Sequence, residues 1–174
     1  MYDFSQRKPE IHPETFIADG VRIVGRVVLK EGASIWYNSV LRADIADIII
    51  GRNTNIQDHC TVHVDFDENT VLGDNVTVGH GVILHACTIE DNCIIGMGSI
   101  ILNGAVIPKN SVVAAGSLVP PRKKYSEGSL ILGSPAKVVR KLSGEEVGRH
   151  AEHAADYVAF WRAYGTKGIG AYRK

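Results

Sequence analysis

Aliphatic residues return at every sixth position along most of the chain. One register comprises Ile17, Ile23, Leu29, Ile35 and Leu41, and a second comprises Ile89, Ile95, Ile101, Ile107, Val113 and Val119. An α-helix repeats every 3.6 residues and a β-strand every two, so neither element explains this period. A period of six is typical of a parallel β-helix built from hexapeptide repeats. The pattern predicts an all-β solenoid over about residues 17–119, with these aliphatic side chains pointing inward.

The residues that follow these aliphatic positions predict the corners of the solenoid. The fourth residue of several units is glycine or asparagine, as in Leu29-Lys30-Glu31-Gly32 and Leu72-Gly73-Asp74-Asn75. Both residue types tolerate a positive φ, which a tight corner between short strands requires. Three units make one triangular coil of about 18 residues, and about five or six coils fit before Val119. Hexapeptide coils are normally left-handed, an exception to the right-handed crossover rule, so we expect that hand here.

The pattern changes at both ends of the repeat. Pro9 and Pro13 argue against regular structure in residues 1–16, which we expect to form a polar lead-in. Beyond the last coil, residues 120–128 are rich in turn formers, and residues 130–135 are predicted to form a short closing strand.

A C-terminal α-helix follows the closing strand. Ser143 and Glu146 have the spacing of a capping box, in which each side chain binds the other residue's backbone N–H. The next residues repeat apolar side chains at helical spacing: Val147, Ala151, Ala154, Val158 and Trp161. We therefore predict a helix from Ser143 to about Tyr164 that packs on the solenoid or on a neighbour. The chain is divided into a solenoid domain (1–142) and a helix with a tail (143–174).

Charge and composition exclude some classes of partner. Lys plus Arg and Asp plus Glu both number 19 in the 174 residues, and no basic cluster alternates with aromatic residues. We therefore expect no nucleic-acid partner. No apolar stretch is long enough to span a bilayer, and residues 1–8 lack the order of a secretory signal, so we expect a cytoplasmic protein without a membrane partner.

The three cysteines are an odd number at unremarkable spacings, which implies no disulfide framework. Cys60 and Cys93 occupy a position where other units carry small residues, so we interpret them as buried packing residues. Cys87 lies two residues after His85 and could in principle reach a metal held there. Burial is the commoner state of an unpaired cysteine, and it is our interpretation of Cys87 as well.

Three histidines form the candidate chemistry of the chain. His63 and His85 each follow the leading aliphatic residue of a unit, and three units separate them, so they are predicted to stack on one face of adjacent coils. His80 is one unit before His85 and falls on a different face. Three imidazoles can fill three positions of a zinc tetrahedron and leave the fourth for water. A threefold trimer would bring the two faces together across a subunit boundary.

Polar residues from earlier coils could support such a site. Asp44 and Asp58 could orient ligand imidazoles, Arg42 could hold a carboxylate in place, and Gln57 could bind the metal's water. Arg42 and Asp44 have a second interpretation, a structural ion pair that bridges subunits. The two interpretations are compatible, and we expect the pair to be structural first. The repeat is interrupted most clearly at residues 64–70, directly after the first histidine.

These segments together resemble the γ-class carbonic anhydrase family. The resemblance extends over about residues 11–164 and is most specific in Leu41-Arg42-Ala43-Asp44, Val76-Thr77-Val78-Gly79-His80 and residues 50–58, 62–65 and 84–89. Residues 132–140 match less specifically, because they also resemble hexapeptide acyltransferases. The four remaining histidines, which are interpreted as packing residues, are His12, His59, His150 and His153.

The resemblance implies a homotrimer of left-handed β-helices with a divalent metal between subunits. His63 and His85 would come from one subunit and His80 from its neighbour. The expected metal is Zn²⁺, although three histidines also suit Fe²⁺ or Co²⁺. The implied reaction is the reversible hydration of CO₂ to bicarbonate by a metal-bound hydroxide at the subunit interface.

Five further residues have expected roles in such a site, and the resemblance implies those of all but Asp58. Gln57 would lie beside the metal's water, and Asp58 would help to orient that water. Arg42 and Asp44 would organise the subunit interface. Tyr157 corresponds to a tyrosine of the family's C-terminal helix that lies near the site.

The chain departs from the family pattern in ways that bear on rate. Ala43 replaces the glycine of the usual Arg-Gly-Asp sequence, and Ile45 occupies a position where active enzymes carry a glutamate. The well-studied enzymes have a long acidic loop with a proton-shuttling glutamate, but residues 64–70 form only a short one. We therefore predict metal-dependent CO₂ hydration that is modest and limited by proton transfer.

Two other functions remain open from the sequence. One is a hexapeptide acyltransferase or acyl-CoA-handling enzyme, in which a single histidine acts as general base without a metal. This hypothesis leaves two of the three histidines without a role. The other is a trimeric scaffold whose metal site is weakly active or inactive.

Overall fold

The computed structural model describes residues 7–164, which form a parallel β-solenoid followed by one helix. The predicted architecture is therefore confirmed. The strands are β1 (Glu10–Ile11), β2 (Phe16–Ile17), β3 (Arg22–Leu29), β4 (Ser34–Ile35), β5 (Val40–Ile50), β6 (Asn55–Ile56), β7 (Thr61–His63), β8 (Thr70–Leu72), β9 (Thr77–Val78), β10 (Ile83–His85), β11 (Thr88–Ile89), β12 (Ile94–Ile95), β13 (Ile100–Ile101), β14 (Val106–Ile107), β15 (Val112–Val113), β16 (Leu118–Val119), β17 (Ser129–Gly133) and β18 (Ala136–Lys141). The helix α1 covers Gly144–Tyr164.

The strands stack into three faces. The first face contains β2, β4, β6, β9, β12, β15 and β17 in parallel order, so the described residues make about seven coils. The second face, which we call the histidine face, contains β7, β10, β13 and β16, and the third contains β8, β11 and β14. The long strands β3 and β5 turn a corner and belong to both of these faces. For example, β5 pairs with β7 through Val40–Arg42 and with β8 through Ile48–Ile50.

A single stack of aliphatic side chains fills the interior. Ile95, Ile101 and Ile107 are fully buried, as the six-residue period predicts. Burying one such side chain contributes roughly 1.5–3 kcal/mol. Ile17 contradicts the prediction, because it is 40% exposed. It lies in β2, the edge strand of its sheet, so no further coil covers it.

The predicted corners have the predicted backbone. The fourth residues of the units have positive φ at Gly20, Gly32, Asn53, Asn75, Asn92 and Asn110. Stacked asparagines also bond to one another: the Asn53 amide donates to Asn75 over 3.1 Å, and the Asn92 amide donates to Asn110 over 2.7 Å. The corners are therefore tied together along the axis by side chains as well as by backbone.

Both ends of the solenoid have more regular structure than we expected. Residues 1–16 were predicted to lack it, yet β1 pairs with β3 and β2 begins at Phe16. At the other end, the closing strand β17 is joined by β18 in antiparallel register. This pairing is not evident in the sequence, because turn residues lie between β17 and β18 and because the antiparallel β18 falls outside the six-residue repeat.

The helix α1 begins with the predicted capping box. The Glu146 N–H donates to Ser143 Oγ over 3.2 Å, and the Ser143 N–H donates to Glu146 Oε2 over 2.8 Å. Ala154 is buried as predicted, but Ala151 is exposed and His150 is buried in its place. The predicted stripe therefore holds except at its second position, where His150 is buried instead of Ala151 and its ring binds the Asn92 carbonyl over 3.0 Å.

The C-terminal half of α1 packs on an aromatic cluster at the first coils. Phe16 and Trp36 form its buried part, and Tyr157, Trp161 and Tyr164 of the helix pack against them. This contact positions Tyr157 beside the first face. No helix among the described residues is long and apolar enough to cross a membrane. The division of the chain at 142/143 stays a prediction.

Candidate metal centre

His63 and His85 lie side by side on the histidine face. They are paired residues in β7 and β10, and their side chains point outward because the preceding residues, Val62 and Leu84, point into the core. The His63 Nδ1 atom lies 3.1 Å from the His85 Nε2 atom. The predicted stacking of these two histidines on adjacent coils is therefore present.

An acidic group holds the outer nitrogen of His63. The Asp44 Oδ1 atom lies 3.2 Å from His63 Nε2, and Arg42 forms an ion pair with the other oxygen of the same carboxylate. Burial opposes ionisation of Asp44, but hydrogen bonds from Arg42 and His63 outweigh it and lower the pKa of Asp44. Asp44 is therefore an ionised acceptor, as expected of a carboxylate that orients an imidazole.

An amide holds the outer nitrogen of His85. The Asn103 Oδ1 atom lies 2.8 Å from His85 Nδ1, and the Asn103 amide nitrogen donates to Asp65 Oδ2. The sequence analysis missed Asn103. Its spacing was the available signal, because it follows His85 by 18 residues, which is one coil.

These contacts determine where the histidine protons lie. A carboxylate only accepts hydrogen bonds, so the neutral His63 ring carries its proton on Nε2, next to Asp44. Burial lowers the pKa of His63 despite the adjacent carboxylate, which favours this neutral ring. His85 carries its proton on Nδ1, facing the Asn103 oxygen. The two nitrogens that are 3.1 Å apart are then both bare lone pairs.

Two lone pairs at this separation suit a shared cation. Zinc binds histidine nitrogen at about 2.0–2.1 Å with tetrahedral angles, which places two such nitrogens roughly 3.3 Å apart. The separation of 3.1 Å between His63 and His85 is close to this value. The donor set of the histidine face therefore fits a divalent metal.

His80 lies at the corner that follows β9 and does not join the pair. Its Nδ1 atom is 2.7 Å from Asp58 Oδ2, so the ring donates to a carboxylate there and presents Nε2 outward. Among residues 7–164 of one chain, no group of three or more histidine, cysteine, aspartate or glutamate side chains could hold a metal. One chain thus offers a two-histidine half-site and, separately, one oriented histidine.

A groove beside His80 contains two other predicted residues. It has a volume of about 310 Å³, and its lining includes Gln57, His80, His153 and Tyr157. Gln57 is buried, with its amide nitrogen 3.3 Å from Asn55 Oδ1. Burial, followed by the Asp58 charge, raises the pKa of Tyr157, which keeps its hydroxyl protonated at neutral pH.

The cysteines contribute no ligand to this centre. All three are buried, as predicted. Burial raises the pKa of Cys60 to about 11 and those of Cys87 and Cys93 to about 12. The thiolate is the form that binds metals, so these side chains act as packing residues.

Known proteins resemble this chain in both sequence and fold. A family profile described as the hexapeptide repeat of succinyl-transferase matches residues 87–120. The carbonic anhydrase of Geobacillus kaustophilus is 44% identical over 158 residues, covering 91% of this chain and 87% of that protein. Gamma carbonic anhydrase 2, mitochondrial, of Arabidopsis thaliana is 40% identical over 158 residues, covering 87% of this chain. This chain spans 57% of the length of the Arabidopsis relative.

A solved structure extends the comparison to three dimensions. The crystal structure of a hexapeptide transferase family protein from Anaplasma phagocytophilum has a TM-score of 0.86 and 44% sequence identity, covering 90% of this chain and 92% of that one. Fold and repeat together define a left-handed β-helix protein of the hexapeptide-repeat class. Within that class, the chain belongs to the γ-class carbonic anhydrase family.

Proposed function

We propose that this protein is a metal-dependent carbonic anhydrase whose site is completed by a second copy of the chain. The carrying observation is the pair of bare nitrogens on His63 and His85, 3.1 Å apart. Asp44 and Asn103 hold the protons on the opposite sides of the two rings. Such an arrangement is unfavourable unless a cation lies between the lone pairs.

The third ligand of the proposed site is His80 of a neighbouring subunit. Asp58 orients this ring with its Nε2 atom outward, which is the form a metal needs. The histidine face also carries exposed apolar side chains, with Val24, Val40 and Ile83 between 36% and 46% exposed. Burying such residues against another copy favours association, and a threefold ring would join each histidine face to a neighbour's His80 corner.

Other residues of the chain have supporting roles at the proposed site. When bound, a three-histidine zinc ion supplies a hydroxide nucleophile at neutral pH, which is what the hydration of CO₂ requires. Gln57 would position the reacting water through its amide, and Asp58 would keep His80 oriented. Asp44, held by Arg42, would keep His63 in its metal-binding tautomer. Tyr157 would line the same groove with a protonated hydroxyl.

Two relatives support an enzyme of the lyase type, because the Geobacillus protein, 44% identical, is named carbonic anhydrase and the Arabidopsis protein, 40% identical, is named gamma carbonic anhydrase 2. Zinc is the proposed metal, with iron or cobalt as alternatives that the same ligands accept. A cytoplasmic location is part of the proposal and rests on the sequence alone.

Acyl transfer is the second candidate. It is supported by the groove of about 310 Å³ beside His80 and by the hexapeptide transferase name of the Anaplasma relative. His80 would serve as general base there, since Asp58 accepts its Nδ1 proton and leaves Nε2 bare. This function leaves the lone pairs of His63 and His85 unexplained, so we rank it second.

Mixed trimers test the shared site. His63→Ala and His80→Ala chains, carrying different tags, are co-expressed, and the trimers that contain both are purified. In such a ring, one boundary joins an intact His63 and His85 to an intact His80. We expect these trimers to bind metal and hydrate CO₂ at that one boundary, whereas each variant alone has neither property.

The exposed His12 provides a matched control, because His12→Ala removes a histidine and should leave the metal content unchanged. Mixed trimers that recover neither metal nor activity would defeat the shared site. Wild-type protein that is purified without chelator and contains no metal would favour acyl transfer or a scaffold instead.

A further inference from the structure

Asn103 and Asp65 form a chain of hydrogen bonds behind His85. The Asn103 side chain lies between the His85 ring and the Asp65 carboxylate, with its oxygen 2.8 Å from His85 Nδ1 and its nitrogen donating to Asp65 Oδ2. Both residues are partly buried, which limits competition from water. Neither has a role in the function proposed above beyond this contact.

The hydrogen bonds that link Asp65, Asn103 and His85 can run in only one direction. Asp65 accepts hydrogen bonds and cannot donate them, so the Asn103 NH₂ group must face it. The Asn103 oxygen then faces His85, and only a proton on His85 Nδ1 can complete the bond. His85 therefore has a bare Nε2 atom, which is the nitrogen that faces His63.

The short loop after His63 holds Asp65 in place. Asp65 and Glu68 exchange two backbone hydrogen bonds of 3.1 Å, and the Phe66 N–H donates to Asp65 Oδ1 over 2.8 Å. Each oxygen of the Asp65 carboxylate thus has its own donor, Phe66 for Oδ1 and Asn103 for Oδ2. A carboxylate held at both oxygens is suited to orient a neighbour and poorly suited to carry protons away.

We propose that Asn103 and Asp65 are a positioning pair that fixes the tautomer and orientation of His85 for metal binding. This inference rests on the proposed function for its purpose, although the tautomer itself is a property of the metal-free protein. The interruption of the repeat at residues 64–70 then has a structural role, because it supplies the carboxylate that orients a ligand from the next coil.

Two measurements test the pair. Long-range ¹H–¹⁵N spectra of the metal-free full-length protein report which nitrogen of His85 carries the proton. We expect Nδ1–H in the wild type and a shift toward Nε2–H in Asn103→Ala. Competition with a chelator gives the zinc affinity, which should fall about 10–100-fold in the same variant, the range found for outer-shell partners of metal ligands.

A charge swap distinguishes positioning from general structural damage. D65N removes the acceptor that fixes the Asn103 amide, so the amide can rotate and this variant should lose the Nδ1–H tautomer and zinc affinity. In D65N/N103D, the new amide at 65 donates to the new carboxylate at 103, which still accepts from His85. We expect the double variant to recover both properties.

Asn110→Ala is the matched control, since the Asn110 amide also donates to a carboxylate, Glu127 over 3.0 Å, without facing a histidine. It should keep the wild-type tautomer and affinity. An unchanged His85 tautomer in Asn103→Ala, or a double variant no better than D65N, would overturn the proposal. If the wild type binds no zinc, the proposed function fails, and the tautomer of the metal-free protein still decides the positioning role.

Discussion

The irregular coils of residues 22–85 and the regular coils of residues 88–119 use the same six-residue unit but carry different groups. Each strand from β11 to β16 has two residues, one partly buried and one fully buried. The irregular coils instead contain β3 with 8 residues, β5 with 11 and the interrupting loop. They also contain both histidines of the half-site, with Arg42 and Asp44.

The comparison shows that departures from the repeat place the polar residues of the candidate site. A regular unit presents aliphatic residues to the core and leaves small or turn-forming residues at the corners. The bend in β5 places Asp44 beside His63, and the loop places Asp65 behind Asn103. The regular coils contribute one polar group to the centre, Asn103, so they also support the site from the next coil.

The largest expected effect compares one glycine from each region. Gly25 lies in the bend of β3, where an added Cβ would be 2.0 Å from the Ala43 carbonyl oxygen. Gly98 also has a positive φ, +67°, but an added Cβ would meet nothing within 4 Å. Gly98→Ala should cost roughly 1–2 kcal/mol of unfolding free energy through backbone strain alone. Gly25→Ala should cost several kcal/mol more, because β3 and β5 must separate.

Urea denaturation of both variants measures this difference. Equal losses would show that the bend of β3 is no more constrained than a regular corner.

The next prediction compares the loss of stability caused by truncating a buried and a surface residue of the regular coils. Ile107 is fully buried, and Val106 beside it points outward on the third face, away from the histidines. Ile107→Ala should lower the unfolding free energy by about 2–5 kcal/mol, because it leaves a cavity in a continuous stack. Val106→Ala should cost much less. Both variants should keep the wild-type metal content per folded chain, and a loss of metal at unchanged stability would contradict the division between the regions.

The regular features were predictable because they depend on neighbours in sequence. The period of six identifies Ile95, Ile101 and Ile107 as inward residues, and the corner asparagines follow from their tolerance of positive φ. The stacking of His63 on His85 required only counting units. These local rules hold wherever one coil lies above and below another.

The errors arose where contacts are specific to the tertiary structure. Ile17 is exposed because the edge coil lacks a neighbour, which a repeat pattern does not reveal. On the helix, His150 is buried where Ala151 was predicted, because the His150 ring binds the backbone carbonyl of Asn92 at a corner of the solenoid. Asn103 was missed although it follows His85 by one coil, because an asparagine at that spacing does not by itself indicate that its side chain faces the histidine. The roles of Gln57 and Tyr157 stay predictions.

A smaller effect concerns proton transfer in the irregular coils. Asp65 in the short loop has both carboxylate oxygens engaged, and Ile45 in β5 is apolar, so neither position offers a free acid. If proton export limits the reaction, added imidazole buffer should raise the turnover of CO₂ hydration severalfold. Metal content, measured in parallel, should not change. A rate that is independent of buffer concentration would show that another group exports the proton.

The smallest effect is expected where the regular coils end and α1 begins, outside both regions. The hydrogen bonds from Arg140 and from the Ser143 N–H lower the pKa of Glu146 from 4.5 to about 2. Because the pKa is depressed in the folded state, this stabilisation is present above pH 4.5 and is lost as the pH falls toward about 2. Arg140→Ala should move the Glu146 titration, followed by ¹³C NMR of the carboxylate, most of the way back to its ordinary value. At neutral pH, Glu146 is ionised with or without Arg140, so metal affinity should stay the same. A pKa that remained near 2 in Arg140→Ala would assign the shift to the Ser143 N–H of the capping box instead.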